Sequence, residues 1–142
     1  MQTIAEILRD KGSEVWSVGP DEVIMDALKI MAEKGVGALL VMEHDKLVGI
    51  ISERDYARKV ALEGRSSRES KVSEIMSHRV LCARPEQTVQ ECMALMSDKR
   101  SRHLPIVDHK KIIGIVSIGD LVKSIIADQQ FEIENLQYYI TH

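Results

Sequence analysis

The sequence is poor in cysteine and in aromatic residues. Its two cysteines, Cys82 and Cys92, form no CxxC pair, and its five His are scattered. Reduced, partly buried thiols are therefore a better interpretation of this pattern than a metal site. One Trp, one Phe and three Tyr contribute little apolar volume, so Val, Ile, Leu and seven Met must build the core.

Long apolar runs and an excess of one charge are also missing. No run approaches the roughly 20 apolar residues that a helix needs to span a bilayer. Glu6, Arg9 and Asp10 interrupt the start of the chain, where a signal peptide would need an apolar stretch. A net charge of −3 argues against a broad nucleic-acid-binding surface. These absences predict a cytoplasmic protein whose partners include neither a membrane nor a nucleic acid.

Common catalytic signatures are absent as well. The sequence contains no G-x-S-x-G, no H-E-x-x-H and no Walker loop, and no nucleophile stands beside a base. We therefore predict that the chain is not an enzyme. With 44% hydrophobic and 29% charged residues, the 142-residue composition is typical of a globular domain, or of two very small units that share a core.

The clearest positive feature is an internal repeat. GIISERD at 49–55 is followed by GIVSIGD at 114–120, and residues 15–61 align with residues 80–126 without a gap. A match of this length indicates a duplication. The Gly that opens both motifs permits a close backbone approach, as a bulge or a ligand would require. Pro105 removes a strand donor and marks an edge or a bulge.

Each half predicts the same order of elements. A short strand, EVWSV or RVLCA, precedes a Pro with acidic neighbours, which suits a helix start. A helix with apolar residues spaced three and four apart follows. Two strands around a polar turn then lead into a second helix. We predict an α+β fold of tandem β-α-β-β-α repeats, packed as a pseudo-two-fold module with one shared core.

Composition divides the chain into three parts. The predicted first unit covers 8–63 and includes the N-terminal segment, the second unit covers 72–128, and a helical tail covers 129–142. A loop-like linker joins the units, and its end, VSEIM, predicts one helical turn. The tail carries large apolar side chains that one module would leave uncovered, so we expect a partner chain to cover them. These side chains are Phe131, Leu136, Tyr139 and Ile140.

The duplicated pattern resembles a known family. The stretches LVGIISERDYARKV, VSEIMSHRV, SRHLPIVD and IIGIVSIGDLV are similar to those of the CBS domain pair, or Bateman module, over about residues 8–128. The resemblance implies two units with a cleft at each end, and two modules that pair into a disc-shaped homodimer. It also implies adenosine-containing ligands (AMP, ADP or ATP, with NAD and S-adenosylmethionine as further candidates) and regulation of a protein that the sequence does not identify.

The repeated Ser-x-x-Asp has two compatible interpretations. Ser52 and Ser117 can be helix N-caps, with Asp55 and Asp120 reaching back to complete capping boxes. The same geometry can bind a nucleotide, because a helix N-terminus receives phosphate and a carboxylate accepts hydrogen bonds from ribose hydroxyls. Both interpretations stay open at the level of sequence.

Basic residues distinguish the two halves. In the family, a basic residue at the position of Arg102 or His103 contacts phosphate together with the Ser and Asp of the same repeat, here Ser117 and Asp120. The resemblance therefore favours these four residues as the AMP or ATP site. The alternative for Arg102 and His103 is a solvated start of a strand.

The first repeat offers a different set. Glycine and alanine occupy the positions that correspond to Arg102 and His103, and the basic residues stand on the following helix instead. Ser52, Arg54 and Asp55, with Arg58 one turn further, form a second candidate site for another ligand or for none. The alternative for Arg54 and Arg58 is an exposed helix face or a salt bridge in a dimer.

The first strands supply the remaining candidates. Val15 and Val80, with Ser17 and Cys82, are expected to flank the adenine ring, and packing within the sheet is an equally good interpretation. The sequence thus predicts a non-enzymatic, homodimeric sensor of adenine nucleotides. The alternative is a structural or protein-interaction module with degenerate clefts.

Overall fold

The secondary structure follows the repeat that the sequence predicts. The computed structural model describes residues 2–141, and the side chains of residues 2–136. Its elements are, in chain order, α1 Ile4–Lys11, β1 Ser17–Val18, α2 Ile24–Lys34, β2 Ala38–Glu43, β3 Lys46–Ser52, α3 Glu53–Asp55, a π-helix at Tyr56–Ala61, α4 Val72–Ile75, α5 Val89–Lys99, β4 His103–Asp108, β5 Lys111–Ser117 and α6 Ile118–Thr141. Helices and strands alternate in both halves, which confirms the α+β class and the tandem repeat.

The two β-hairpins are closely matched. β2 pairs antiparallel with β3 and β4 with β5, and every strand of the second hairpin begins and ends 65 residues after its counterpart. The register shifts between Val41 and Met42, and again between Ile106 and Val107. Two residues with positive φ close each hairpin, as a two-residue turn between twisted strands requires. Pairing that recurs residue by residue agrees with the gapless alignment.

The first strand forms only in the first repeat. β1 pairs parallel with β2, and the Leu40 N–H donates to the Trp16 carbonyl at 3.2 Å. Pro105 occupies the position of Leu40 in the second repeat and has no N–H to donate. An isolated parallel bridge between Ala83 and Ile106 remains there. The prediction of a strand at RVLCA is therefore wrong, and Pro105 is the physical reason.

The closing helices also differ between the repeats. In the first repeat α3 runs into the π-helix Tyr56–Ala61, whose hydrogen bonds span five residues and which often lies at functional sites. In the second repeat α6 runs for 24 residues from Ile118 to Thr141, so the segment predicted as a helical tail continues the closing helix of the repeat as far as the chain is described. The side chains of Tyr139 and Ile140, predicted to be part of its apolar surface, lie outside the described residues.

The leading segments of the repeats are exchanged in space. The first unit consists of Val15–Val80, and the residues before Val15 join those after Val80 to form the second unit. α1 therefore lies with the second repeat, and α4, the helical turn predicted at VSEIM, lies with the first. The division at 8–63 and 72–128 attached the N-terminal segment to the first repeat along the sequence, whereas in space that segment belongs to the second unit.

Backbone hydrogen bonds hold both leading segments in the same way. The Ile4 N–H donates to the Gln87 carbonyl at 2.9 Å in the second unit. The Val72 N–H donates to the Glu22 carbonyl at 2.8 Å in the first unit. The donors stand 68 residues apart and the acceptors 65. Because the leading segments repeat with an offset of their own, they fall outside the gapless alignment.

The described residues form two cores, one in each unit, so the prediction of one shared core is wrong. Both cores are aliphatic, as the scarcity of aromatic residues predicts. The first core contains Val18, Ile24, Ala27, Met31, Leu39, Val41, Ile51, Val60, Val72, Ile75 and Met76. The second core contains Ile4, Ile7, Leu8, Ala83, Val89, Cys92, Met96, Leu104, Ile106, Val116 and Leu121. Both cores include residues of the exchanged segment, so the leading helix of each unit is part of its hydrophobic interior.

Two glycines make room for the leading segments. A Cβ on Gly49 would lie 2.6 Å from the Met76 sulfur and 2.9 Å from the Ser77 carbonyl oxygen. A Cβ on Gly114 would lie 2.7 Å from a methyl carbon of Leu8. The close approach that the sequence predicts at these glycines is thus made by the chain itself.

Candidate functional site

The Ser-x-x-Asp motifs lie where a strand passes directly into a helix. At this end of the second hairpin His103 pairs with Ser117, and the Ile118 N–H donates to the Arg102 carbonyl at 2.8 Å. The hairpin therefore brings the start of β4 to the start of α6. We call Arg102, His103, Ser117 and Asp120 the second corner. The structure brings together the four residues that the sequence predicts as one site.

The first repeat builds a corresponding place. Ala38 pairs with Ser52, and the Glu53 N–H donates to the Gly37 carbonyl at 3.0 Å. We call Ser52, Arg54, Asp55 and Arg58 the first corner. Arg54 is half-buried, and Arg58 is exposed on the π-helix.

Both motifs form capping boxes. The Asp120 N–H donates to the Ser117 hydroxyl at 3.2 Å, and the Ser117 N–H donates to the Asp120 carboxylate at 2.8 Å. The matching distances at Ser52 and Asp55 are 3.2 and 3.0 Å. The capping interpretation of the motif is therefore confirmed in both repeats. It leaves the nucleotide interpretation open, because the caps hold each Ser and Asp at a helix start.

A lysine from α1 completes the second corner. The Lys11 Nζ lies 2.6 Å from Oδ2 of Asp120 and donates to the Ile115 carbonyl at 2.7 Å. Burial of the Asp120 carboxyl favours a higher pKa, but hydrogen bonds from Lys11 and Ser117 and the charge of Lys11 outweigh it and lower the pKa. Asp120 is therefore ionised at neutral pH, and its charge is balanced by an ammonium group.

A lysine also contacts Asp55 of the first corner. This lysine, Lys59, belongs to the π-helix Tyr56–Ala61 of the same repeat and not to a leading helix. The Lys59 Nζ lies 3.6 Å from Oδ1 of Asp55, four residues earlier on the same helical stretch, and donates to the Ile75 carbonyl at 3.1 Å. Oδ2 of Asp55 accepts from both the N–H and the hydroxyl of Ser52. Both oxygens of this carboxylate therefore already have partners.

Sequence reasoning missed both lysines. The four-residue spacing of Asp55 and Lys59 is a recognisable signal for an ion pair on a helix. Lys11 stands 109 residues before Asp120 and outside the aligned repeat. No local spacing in the sequence connects two residues that lie so far apart.

The residues predicted to flank adenine are spread over both units. Val15 is half-buried just before β1, and Ser17 is exposed within β1. Val80 ends the first unit, whereas Cys82 belongs to the second. Burial raises the pKa of the Cys82 thiol. Their role beside an adenine ring stays a prediction.

Three other features of the described chain bear on competing kinds of site. Among residues 2–141, no helix is long and apolar enough to cross a membrane. Nor do three His, Cys, Asp or Glu side chains of the described part cluster as metal ligands would. A groove of about 710 Å³ in the second unit is lined by Gln2 and by residues of α1, α5 and α6, and it touches neither corner.

A model of the CBS domain matches residues 4–62 and 72–127 of this chain. Among curated proteins, the chain is similar to the mitochondrial CBS domain-containing protein CBSX3 of Arabidopsis thaliana. The two are 40% identical over 148 residues, which covers 97% of this chain and 71% of the relative.

Solved structures agree with these matches. The structure of a putative signal-transduction protein with CBS domains from Burkholderia ambifaria MC40-6 has a TM-score of 0.86 and 53% identity, covering 90% of this chain and 96% of that one. The CBS domain pair of protein MJ0100, solved with 5′-methylthioadenosine and S-adenosyl-L-methionine, has a TM-score of 0.78 and 26% identity. The match covers 90% of this chain and 98% of the MJ0100 chain.

Proposed function

Because this chain belongs to the CBS domain family, we propose that it is a non-enzymatic regulatory module that binds an adenine nucleotide at the second corner. The observation that carries this proposal is the junction of β5 and α6, where Ser117 and Asp120 stand beside Arg102 and His103. The adenosine ligands of the MJ0100 domain pair support the same ligand class.

The carboxylate of the second corner has acceptor capacity to spare. The hydrogen bonds from the Ser117 N–H and from Lys11 both reach Oδ2 of Asp120. A carboxylate offers about four lone-pair sites, so the Asp120 carboxylate can accept a further hydrogen bond from a ribose hydroxyl. Arg102 is exposed, and its guanidinium is suited to a phosphate.

The first corner is the weaker candidate. Both oxygens of Asp55 already accept a hydrogen bond or face an ammonium group. Gly37 and Ala38 stand where the second repeat has Arg102 and His103. A ligand here would share Asp55 with Lys59 and would have Arg54 and Arg58 in place of a basic residue at the strand start, and we therefore assign the nucleotide to the second corner.

Thermal unfolding tests the proposed function. A ligand that binds only the folded state adds about 2.7 kcal/mol at a concentration 100 times its Kd. We expect AMP, ADP or ATP to raise the unfolding midpoint in a saturable way, with NAD and S-adenosylmethionine compared alongside. If none of the five compounds moves the midpoint, the rival function, an interaction module with degenerate clefts, is the better account.

A homodimer is part of the proposal. α6 leaves a row of apolar side chains exposed at four-residue spacing, Ile118, Val122 and Ile126, with Phe131 and Leu136 further along. Such a row is more typical of a contact surface than of a solvated helix face.

Analytical ultracentrifugation should give twice the 16.0 kDa of one chain, and Ile126→Lys should lower that mass towards the monomer. A monomeric parent protein would contradict the proposed dimer.

Regulation of a partner protein is a further part of the proposal. We propose that nucleotide binding acts on a partner protein by favouring one of two states of the module, which requires different affinity for the two. The cytoplasmic location stays a prediction, since the Arabidopsis relative is described as mitochondrial.

A further inference from the structure

We propose that Lys11 determines the ligand specificity of the second corner, selecting adenosine ligands that carry phosphate over those that carry a sulfonium group. This inference rests on the proposed function and adds the class of ligand. It also assigns a role to the N-terminal helix α1, which the sequence attached to the other repeat.

The position of Lys11 allows it to contact a ligand without leaving its present partners. Its ammonium group has three N–H bonds. Two of them are used, one at 2.6 Å to Asp120 and one at 2.7 Å to the Ile115 carbonyl. The side chain is 35% exposed, so the third N–H can reach a bound anion.

The backbone at the start of α6 leaves little else for a phosphate. The Ile118 N–H already donates to the Arg102 carbonyl, and the Asp120 N–H to the Ser117 hydroxyl. Two of the three backbone donors of this first turn are therefore already engaged. Helix N-termini that bind phosphate usually offer several free N–H groups. A phosphate at this corner therefore depends on cationic side chains.

The balance of charge at the second corner also favours a role for Lys11 in phosphate binding. Asp120 is the group that would bind ribose, and its negative charge would repel a phosphate only a few bonds away on the same ligand. Lys11 neutralises that charge through direct contact. Without the ammonium group, the corner would suit an uncharged or positively charged 5′ substituent better than a phosphate.

S-adenosylmethionine provides the contrast. It carries a sulfonium cation at the 5′ carbon, where AMP, ADP and ATP carry phosphate. A cation at that place would face the ammonium group of Lys11, whereas an anion would be attracted to it. The MJ0100 domain pair was solved with S-adenosyl-L-methionine, whereas we expect this chain, because of Lys11, to bind AMP, ADP or ATP more tightly than S-adenosylmethionine.

A different role for Lys11 gives a different result. If the lysine merely blocked Asp120, ligands would have to displace it, and its removal would strengthen binding of every adenosine compound. If it recruits phosphate, its removal weakens the binding of nucleotides alone. Uncharged adenosine distinguishes these two roles, because it needs Asp120 but has no phosphate.

The experiment is calorimetric titration of the full chain with AMP, adenosine and S-adenosylmethionine. Lys11→Met keeps the length of the side chain and removes its charge. We expect AMP to bind about tenfold more weakly, as loss of one charged hydrogen bond implies, with adenosine nearly unchanged and S-adenosylmethionine unchanged or tighter. Lys11→Arg should retain most of the AMP affinity. Lys111→Met, at the opposite end of β5, removes an equal charge and should change none of the three affinities.

Several outcomes would overturn the inference. Unchanged AMP affinity in Lys11→Met would remove Lys11 from the site, and tighter binding of all three compounds would make it a blocking residue. Should Lys11→Met not fold, the parent protein itself provides the test. Its AMP affinity should fall more steeply with added salt than its adenosine affinity, and equal salt dependence would contradict the role of Lys11. A parent protein that binds none of these compounds refutes the proposed function, which is a separate result.

Discussion

Asp120→Ala is expected to weaken AMP binding by more than tenfold while the fold persists. The substitution removes the carboxylate that would accept from both ribose hydroxyls, and hydrogen bonds to a charged group contribute about 1.5–3 kcal/mol each. It also removes one half of a capping box, which costs about 1 kcal/mol of stability. Calorimetric titration measures the affinity, and circular dichroism checks that the protein remains folded.

Asp55→Ala is the matched control for this prediction. It removes the same half of a capping box and the same charge, but at the first corner. The loss of stability should be similar, while AMP affinity at the second corner should stay within about twofold of the parent protein. Equal losses of affinity in both variants would mean that Asp120 acts through general stability, and no loss in either would remove Asp120 from the site.

Gly49→Ala is expected to destabilise the first unit by about 2–3 kcal/mol, the upper range for adding atoms to a well-packed interior. The new Cβ would lie 2.6 Å from the Met76 sulfur and 2.9 Å from the Ser77 carbonyl oxygen. The sulfur can move, but the carbonyl is backbone. Ser77 is held to Ile50 by two hydrogen bonds of 2.9 and 3.1 Å, so relief would require the leading segment to shift. Urea denaturation measures the loss.

Gly114→Ala provides the comparison within the same protein. A Cβ there would meet only side-chain atoms of Leu8, the nearest at 2.7 Å. A leucine can rotate or shift at smaller cost than a hydrogen-bonded backbone, and we expect a loss of about 1 kcal/mol. A larger loss at Gly114 than at Gly49 would contradict the account of how the leading segments pack.

The hairpins were predictable from sequence because their pattern is local. β2 and β4 carry apolar runs that end in a polar two-residue turn, and the motif that opens with Gly49 or Gly114 fixes the register of the next strand. A register slip of one residue would turn every core side chain to the other face. The Ser-x-x-Asp corners follow directly from the same strands, and for this reason their capping geometry was also predictable.

The first strand of the second repeat was predicted from the sequence but does not form. Pro105 was recognised as a residue without a donor, yet a strand was still predicted at RVLCA. The lost hydrogen bond is the counterpart of the one between Leu40 and Trp16. With it absent, pairing shrinks to the bridge at Ala83. A proline in one strand therefore also weakens the pairing of the neighbouring strand.

The exchange of leading segments could not be read from the sequence. From the sequence, α1 could pack on either repeat, since both carry the same glycine, Gly49 or Gly114, in an apolar strand of similar composition. The connection of α1 to the second unit depends on contacts between residues about 80 to 110 apart, such as Ile4 with Gln87 and Lys11 with Asp120. Lys11 was missed for this reason, although the site residues nearest to it were identified.

The most direct test of the central claim is an ¹⁵N-¹H NMR titration of the protein with AMP. If a nucleotide binds at the second corner, the amide signals of Arg102, His103 and residues 117–120 should shift first and saturate together. Signals of Ser52–Asp55 should move less. Shifts confined to other parts of the chain, or no shifts at millimolar AMP, would contradict the assignment of this corner as the nucleotide site.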